Sequence, residues 1–202
     1  MHIDPATLPW RDAYKYLVGS ILPRPIAFVS TVDAEGKTNL APFSFFTAVA
    51  AEPMTIAFSP MRRGTDGAKK DTLHNIEATG EFVVNIVSES FVEQMNLTAQ
   101  EFPADVSEFD ESGLTPLPSV VVKAPRVKES LVNLECKLLQ VVEVGGDHAG
   151  AGAIVLGQVV QVHVDDEIHY DGKIDTKGLN PVGRLAGADY CRLTDTFVLE
   201  RK

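Results

Sequence analysis

The chain has 202 residues, 45% of them hydrophobic and 23% charged, the balance of a soluble globular protein with one sizeable core. Its formal net charge of −10 argues against a nucleic-acid-binding surface and against attraction to anionic lipid. Two cysteines far apart in sequence, no secretory leader pattern and no apolar run of membrane-span length place the expectation in a reducing cytoplasm, with both thiols packed rather than bonded.

Taken in order, residues 10–21 predict a first helix with Ala13, Tyr16, Leu17 and Ile21 on one side. Arg24 follows, held between Pro23 and Pro25, and the β-branched and apolar run 26–32 predicts a strand. Asp33 to Gly36 makes a hairpin turn, and the return at 37–40 is expected to break at Pro42. A second strand is predicted at 54–59. A short helix at 73–79, capped by Asp71 or Thr72 and closed by Gly80, feeds a strand at 81–87 and a further helix at 88–100. Residues 101–118 shift to Asp, Glu, Ser, Gly and Pro and read as an exposed acidic loop inserted over a single domain spanning 1–202. Two long strands, 133–144 and 153–164, are joined by a glycine-rich turn. In the second, Ile154, Leu156, Val160, Val162 and Val164 share one face. Residues 165–185 look irregular, and 190–199 reads as a closing strand. A mainly β chain with short helices predicts a barrel.

Two segments stand out for chemistry. The helix start at Lys70-Asp71-Thr72 would present unpaired N–H groups, a cation and a hydroxyl, a combination suited to a phosphate; an ordinary N-terminus with surface lysines fits the same residues. Ser59, Arg62 and Arg63, at the end of another strand, weight the balance toward an anion. In the second segment, Asn39-Leu40-Ala41-Pro42-Phe43-Ser44, the proline leaves backbone donors nearby free for a partner other than protein, although the aromatics are also natural core residues. The histidines show no metal spacing, and the glycine-rich turn does not open a helix after a strand, which removes a Rossmann reading.

The Arg-Pro strand, the Asn-x-x-Pro-Phe-Ser segment and the Lys-Asp-Thr helix, in this order and spacing, resemble the flavin reductase-like family over most of the chain. The resemblance implies an FMN-binding split β-barrel. FMN would be held by Arg24, Asn39, Ala41, Pro42, Phe43, Ser44, Ser59, Arg62, Lys70, Asp71 and Thr72, with no metal. The segment 157–163 and the Arg184–Tyr190 stretch also resemble the family's, which makes His163, Arg184 and Tyr190 candidates for a substrate pocket; Ala186 stands where a glycine is common. The implied activity is NAD(P)H-dependent reduction of flavin by a homodimer whose cofactor lies near the subunit boundary. The alternative is a non-enzymatic FMN carrier, sensor or electron-transfer protein on the same barrel.

Overall fold

The structure is a computed structural model describing residues 1–103 and 106–200. In chain order its elements are α1 (Trp10–Ser20), β1 (Ala27–Val32), β2 (Thr38–Phe43), β3 (Phe46–Ala51), β4 (Met54–Phe58), α2 (Asp71–Thr79), β5 (Glu81–Ile86), α3 (Val92–Leu97), α4 (Glu108–Ser112), β6 (Pro116–Leu117), β7 (Arg126–Val127), β8 (Val132–Val144) and β9 (Gly152–Val164). Beyond β9 lie β10 (His169–Tyr170), β11 (Lys173–Ile174), α5 (Thr176–Leu179), β12 (Val182–Arg184) and β13 (Tyr190–Arg192).

Seven antiparallel strands form one sheet in the order β2-β1-β5-β8-β9-β4-β3. Its edge strands, β2 and β3, are neighbours in sequence, separated only by Ser44 and Phe45. Three Cα steps span at most roughly 11 Å, so the two edges must meet and the sheet must roll up. The edges are not paired with each other, which leaves the barrel split at Ser44–Phe45. Inside it lie Val29, Phe43, Ile56, Phe58, Phe82, Val84 and Val155, with Leu73 and Ile76 of α2 packed among them. Gly157 is required on this face, because a Cβ there would sit 2.3 Å from Phe82 Cζ. A second core outside the sheet joins Phe28 and Leu40 to Phe91, Met95, Phe109 and Leu114. Every residue of β1 is buried, since it is covered on both faces.

Several expectations are corrected. The return strand does not break at Pro42: β2 runs through it, with Pro42 opposite Phe28. Leu40 N–H points out of the sheet to Glu108. Alternation therefore turns the donors of Ala41 and Phe43 toward β1 and puts Pro42 in the outward phase, where a missing N–H costs no ladder bond. β3 was not foreseen; its run of small, mostly exposed residues shows no two-residue alternation. The helix predicted at 88–100 is a 3₁₀ turn at Glu89–Phe91 followed by the short α3. Neither Asp71 nor Thr72 caps α2; Lys70 holds the cap position and supplies no side-chain bond. The acidic segment is not simply an exposed loop, because α4 drives Phe109 into the outer core at 3% exposure; Ala104 and Asp105 lie outside the described residues. The stripe predicted on β9 faces outward, the barrel side being Ala153, Val155 and Val159. The side of α1 carrying Tyr16, Leu17 and Ile21 is likewise exposed, with Val18 as its buried residue. The closing strand ends at Arg192.

Candidate functional site

The site follows the outward side of edge strand β2, where the barrel is split. Asn39, Ala41 and Pro42 form one wall of a cleft; Lys70, Asp71, Thr72 and Arg63 form the opposite wall. Thr98 to Phe102 and Glu108 close it. An adjoining cavity shares Pro42 and Ala99 with the cleft and adds Tyr14, Ser44, Met95, Asn96, Arg184 and Tyr190. Two sequence segments thirty residues apart thus meet because α2 packs against β1 and β2.

The electrostatics of the cleft are uneven. Arg63 Nη2 donates to Asp71 Oδ1 at 2.9 Å, offsetting the carboxylate at the helix start. Lys69 is committed to Glu77 and Glu143, each at 2.7 Å, and Arg62 to Asp147. Lys70, by contrast, makes no ion pair among the described residues. Asn39 Nδ2 donates to Thr72 Oγ1 at 2.9 Å, which leaves the threonine proton for a further acceptor. The uncapped start of α2, the unpaired Lys70 ammonium and this hydroxyl together form a donor set for an anion. Glu101 and Glu108 are the opposing charges, and Glu108 is the more buried. Burial, helped by the nearby Asp71, raises the Glu108 pKa, although its carboxylate accepts the Leu40 amide at 3.1 Å.

Of the residues proposed from sequence, Asn39, Ala41, Pro42, Lys70, Asp71 and Thr72 share the cleft, and Ser44, Arg184 and Tyr190 share the cavity beside it. Arg24 lies behind this wall. It is 3% exposed, its guanidinium donates to the carbonyls of Val18, Ile21 and Leu185, and its Nε reaches Ser44 Oγ at 3.4 Å. Burial, ahead of the Arg184 charge, lowers its pKa. Arg24 is therefore a brace that sets the position of Ser44. The backbones of Arg24 and Arg184 also exchange hydrogen bonds of 3.0 and 2.8 Å, so Arg184 reaches the cavity within its own chain.

Four proposed residues lie elsewhere. The Phe43 ring turns into the barrel against Phe58, with centroids 5.2 Å apart. Ser59 donates to the Ala153 carbonyl at 2.7 Å, and Ser59 and Arg62 line neither cavity; the adjacent Arg63 takes the place given to Arg62. His163, too, lines neither cavity. Its Nε2 lies 2.6 Å from Oε1 of Glu135, which is fully buried and also accepts the amides of Val120, Val121 and Val122. Burial acts to raise the Glu135 pKa, but these four partners outweigh it and hold the carboxyl below its ordinary value. Cys136 is packed in the barrel, where burial raises the pKa of its thiol; Cys191 is half-buried and also unbonded.

Sequence reasoning missed Glu108, Met95, Asn96 and the 98–102 wall. The available signal was Phe109 and Leu114, two large apolar residues inside a stretch read as solvated.

Comparison with known proteins agrees with the barrel. The chain superimposes on nitrilotriacetate monooxygenase component B from Bacillus cereus with a TM-score of 0.93 at 42% identity, covering 98% of each chain. The 2-nitrobenzoate 2-nitroreductase of Pseudomonas fluorescens gives 0.87 at 31% identity, covering 100% of this chain and 96% of the other. A split-barrel protein of Shewanella frigidimarina gives 0.84 at 27% identity over the whole of both chains. The Flavin reductase like domain matches residues 18–178, and the chain, a mainly β split barrel, belongs to that family.

Proposed function

We propose that the protein binds FMN in the cleft along β2 and reduces flavin with electrons from NADH or NADPH. The observation carrying this reading is the junction of two unlike halves. One is an anion site at Lys70, Thr72 and the start of α2; the other is a flat strand edge with Pro42 and Ser44, leading to Arg184 and Tyr190. A phosphate tethered to a planar heterocycle matches both halves. The residues present fit the group: a lysine with no ion pair among the described residues, a threonine hydroxyl with a free proton and an uncapped helix start are all donors in search of an acceptor.

When bound, flavin would supply the hydride-accepting chemistry, with a reduced nicotinamide as the two-electron donor. The chain's part is position and electrostatics. Lys70 and Thr72 would hold the phosphate, Asn39 orients the threonine, Arg24 fixes Ser44 at the strand edge, and Met95 and Ala99 line the adjoining cavity, where they would limit the access of water to the ring. Proton transfer needs no resident acid, because solvent reaches the cavity between turnovers. Anaerobic addition of NADH or NADPH to the FMN-loaded protein is expected to bleach the flavin absorbance. Persistent yellow colour with both donors would leave an FMN carrier in place of a reductase.

The same reading includes a homodimer. Val142 pairs with Ile154 on the outward side of β8 and β9, with Leu139, Val144 and Val162 also 38–53% exposed on these two strands. An apolar face of this kind on the outside of the split barrel suits burial against a second copy. Light scattering should give a molar mass near twice 21.9 kDa, and Ile154→Asp should shift it to the monomer value. A monomeric wild type would remove the dimer.

A further inference from the structure

A groove of about 600 Å³ runs along α3 and β13, outside the FMN cleft, and its size lies within the usual range for a small-molecule site. Its apolar lining comes from Val92, Leu97 and Val182. It meets the cavity that holds Ser44 and Arg184 at a shared wall, where Tyr190 Oη donates to Asn96 Oδ1 at 2.8 Å. The Arg184 guanidinium lies 4.5 Å from the centroid of the Tyr190 ring at this junction, and it makes no ion pair among the described residues.

The charges of the groove follow a pattern. Its one cation, Arg192, is neutralised by Glu89 through an Nε–Oε1 contact, and Glu89 also accepts from Asn180 Nδ2 at 3.1 Å. Glu93, on the exposed side of α3, has no cationic partner among the described residues. The groove is therefore net negative and apolar inside, with an available cation only at the end nearest the flavin cleft. A dinucleotide divides its chemistry in the same way: a dianionic pyrophosphate in the middle, and beyond it an adenosine with an apolar base and ribose hydroxyls that donate to carboxylates.

We propose that this groove takes the adenosine half of the nicotinamide donor, with the pyrophosphate at Arg184, and that Glu93 selects NADH over NADPH. The assignment rests on the reductase reading above for the donor's identity. A 2′-hydroxyl is a hydrogen-bond donor to a carboxylate; a 2′-phosphate brings a second anion to a place where no cation is free.

The test separates binding from reaction. ADP-ribose and 2′-phospho-ADP-ribose, neither of which can reduce flavin, are titrated calorimetrically into the FMN-loaded full-length protein. ADP-ribose should bind at least tenfold more tightly, about 1.4 kcal/mol. Glu93→Arg should bring the two affinities together or reverse them, and Glu93→Gln, which keeps the size of the side chain, should move them part of the way. Arg184→Ala should weaken both ligands to a similar extent and leave their ratio unchanged. Equal affinities in the wild type, or tighter binding of the 2′-phosphorylated ligand, would overturn the selection. Failure of both ligands to bind while NADH still bleaches the flavin would overturn the groove assignment. Selective binding of ADP-ribose with no bleaching by either nicotinamide would support the groove and sink the reductase reading alone.

Discussion

Two regions of the barrel wall use the same vocabulary of carboxylates, backbone amides and short polar side chains, to opposite ends. At Glu135 on β8, one buried carboxylate meets three successive amides of the 120–122 loop and the ring of His163, so every group has its partner. At the start of α2, Lys70 makes no ion pair among the described residues and no side chain caps the helix. A saturated polar cluster fixes a loop in place, whereas an unsaturated one is poised for a ligand. The comparison therefore separates a structural polar site from a binding one by whether its hydrogen bonds are already made.

The largest effect expected is at Glu135. Glu135→Ala leaves three amides without their acceptor and should cost about 3–5 kcal/mol in chemical denaturation, with FMN affinity of the remaining folded protein unchanged. The native pKa of this carboxyl is depressed, so its contribution is present above the unfolded value of about 4.3 and is lost as pH falls through the lower native value. The wild type should therefore lose stability on the acid side more steeply than the Ala variant. Parallel acid profiles would show that Glu135 is not the linked group.

Next comes the unsaturated site. Removing Lys70 and Thr72 together should weaken FMN by about 2–4 kcal/mol, the sum of a charge-assisted and a neutral hydrogen bond. Riboflavin, which lacks the phosphate, should be almost unaffected. Matching losses for FMN and riboflavin would place the phosphate elsewhere. A smaller change is expected from His163→Asn. It removes one of four partners of Glu135 and should cost about 1 kcal/mol of stability, while the limiting rate of flavin reduction in anaerobic stopped flow changes by less than about tenfold. A thousandfold fall would mean that His163 acts in the reaction despite its place beside Glu135.

How legible these regions were follows from the range of the signals. β8 and β9 could be read because each is a long β-rich run bounded by turn residues, and the Asn39–Ser44 and Lys70–Thr72 segments stood out through local features, a proline in a strand and a helix start, although the proline does not break β2 and neither Asp71 nor Thr72 caps α2. What could not be read is set by contacts distant in sequence. His163 lies two ladder positions from Gln161, the partner of Glu135, so the ring meets the carboxylate diagonally across two strands. Arg62 and Arg63 are neighbours on a loop and point to different acids, a choice that depends on where Asp147 and Asp71 fall in the fold. Phe109 was hidden by its acidic surroundings, although packing against Phe28 and Leu40 brings α4, and with it Glu108, onto the edge of β2.

Glu108 sharpens the comparison further, because it is the carboxylate that the cleft does not satisfy in the way the 120–122 loop satisfies Glu135. It accepts one amide from outside its own helix where Glu135 accepts three, and burial, aided by Asp71, raises its pKa. Linkage then runs in the opposite sense. A carboxyl that keeps its proton to higher pH in the native state than in the unfolded chain favours folding at low pH, and that contribution is lost as pH rises from about 4.3 through the raised native value. Glu108→Gln keeps an oxygen for the Leu40 amide and removes the charge. The variant should match the wild type in acid and exceed it in stability near neutrality by under about 1 kcal/mol, the discount appropriate to a half-exposed group. It should also bind FMN up to about fivefold more tightly, because one anion fewer faces the phosphate, while riboflavin affinity stays the same. A variant less stable than wild type at neutral pH would show that the Glu108 charge is compensated by cations in the cleft, and equal gains for FMN and riboflavin would show that Glu108 faces the ring end of the site.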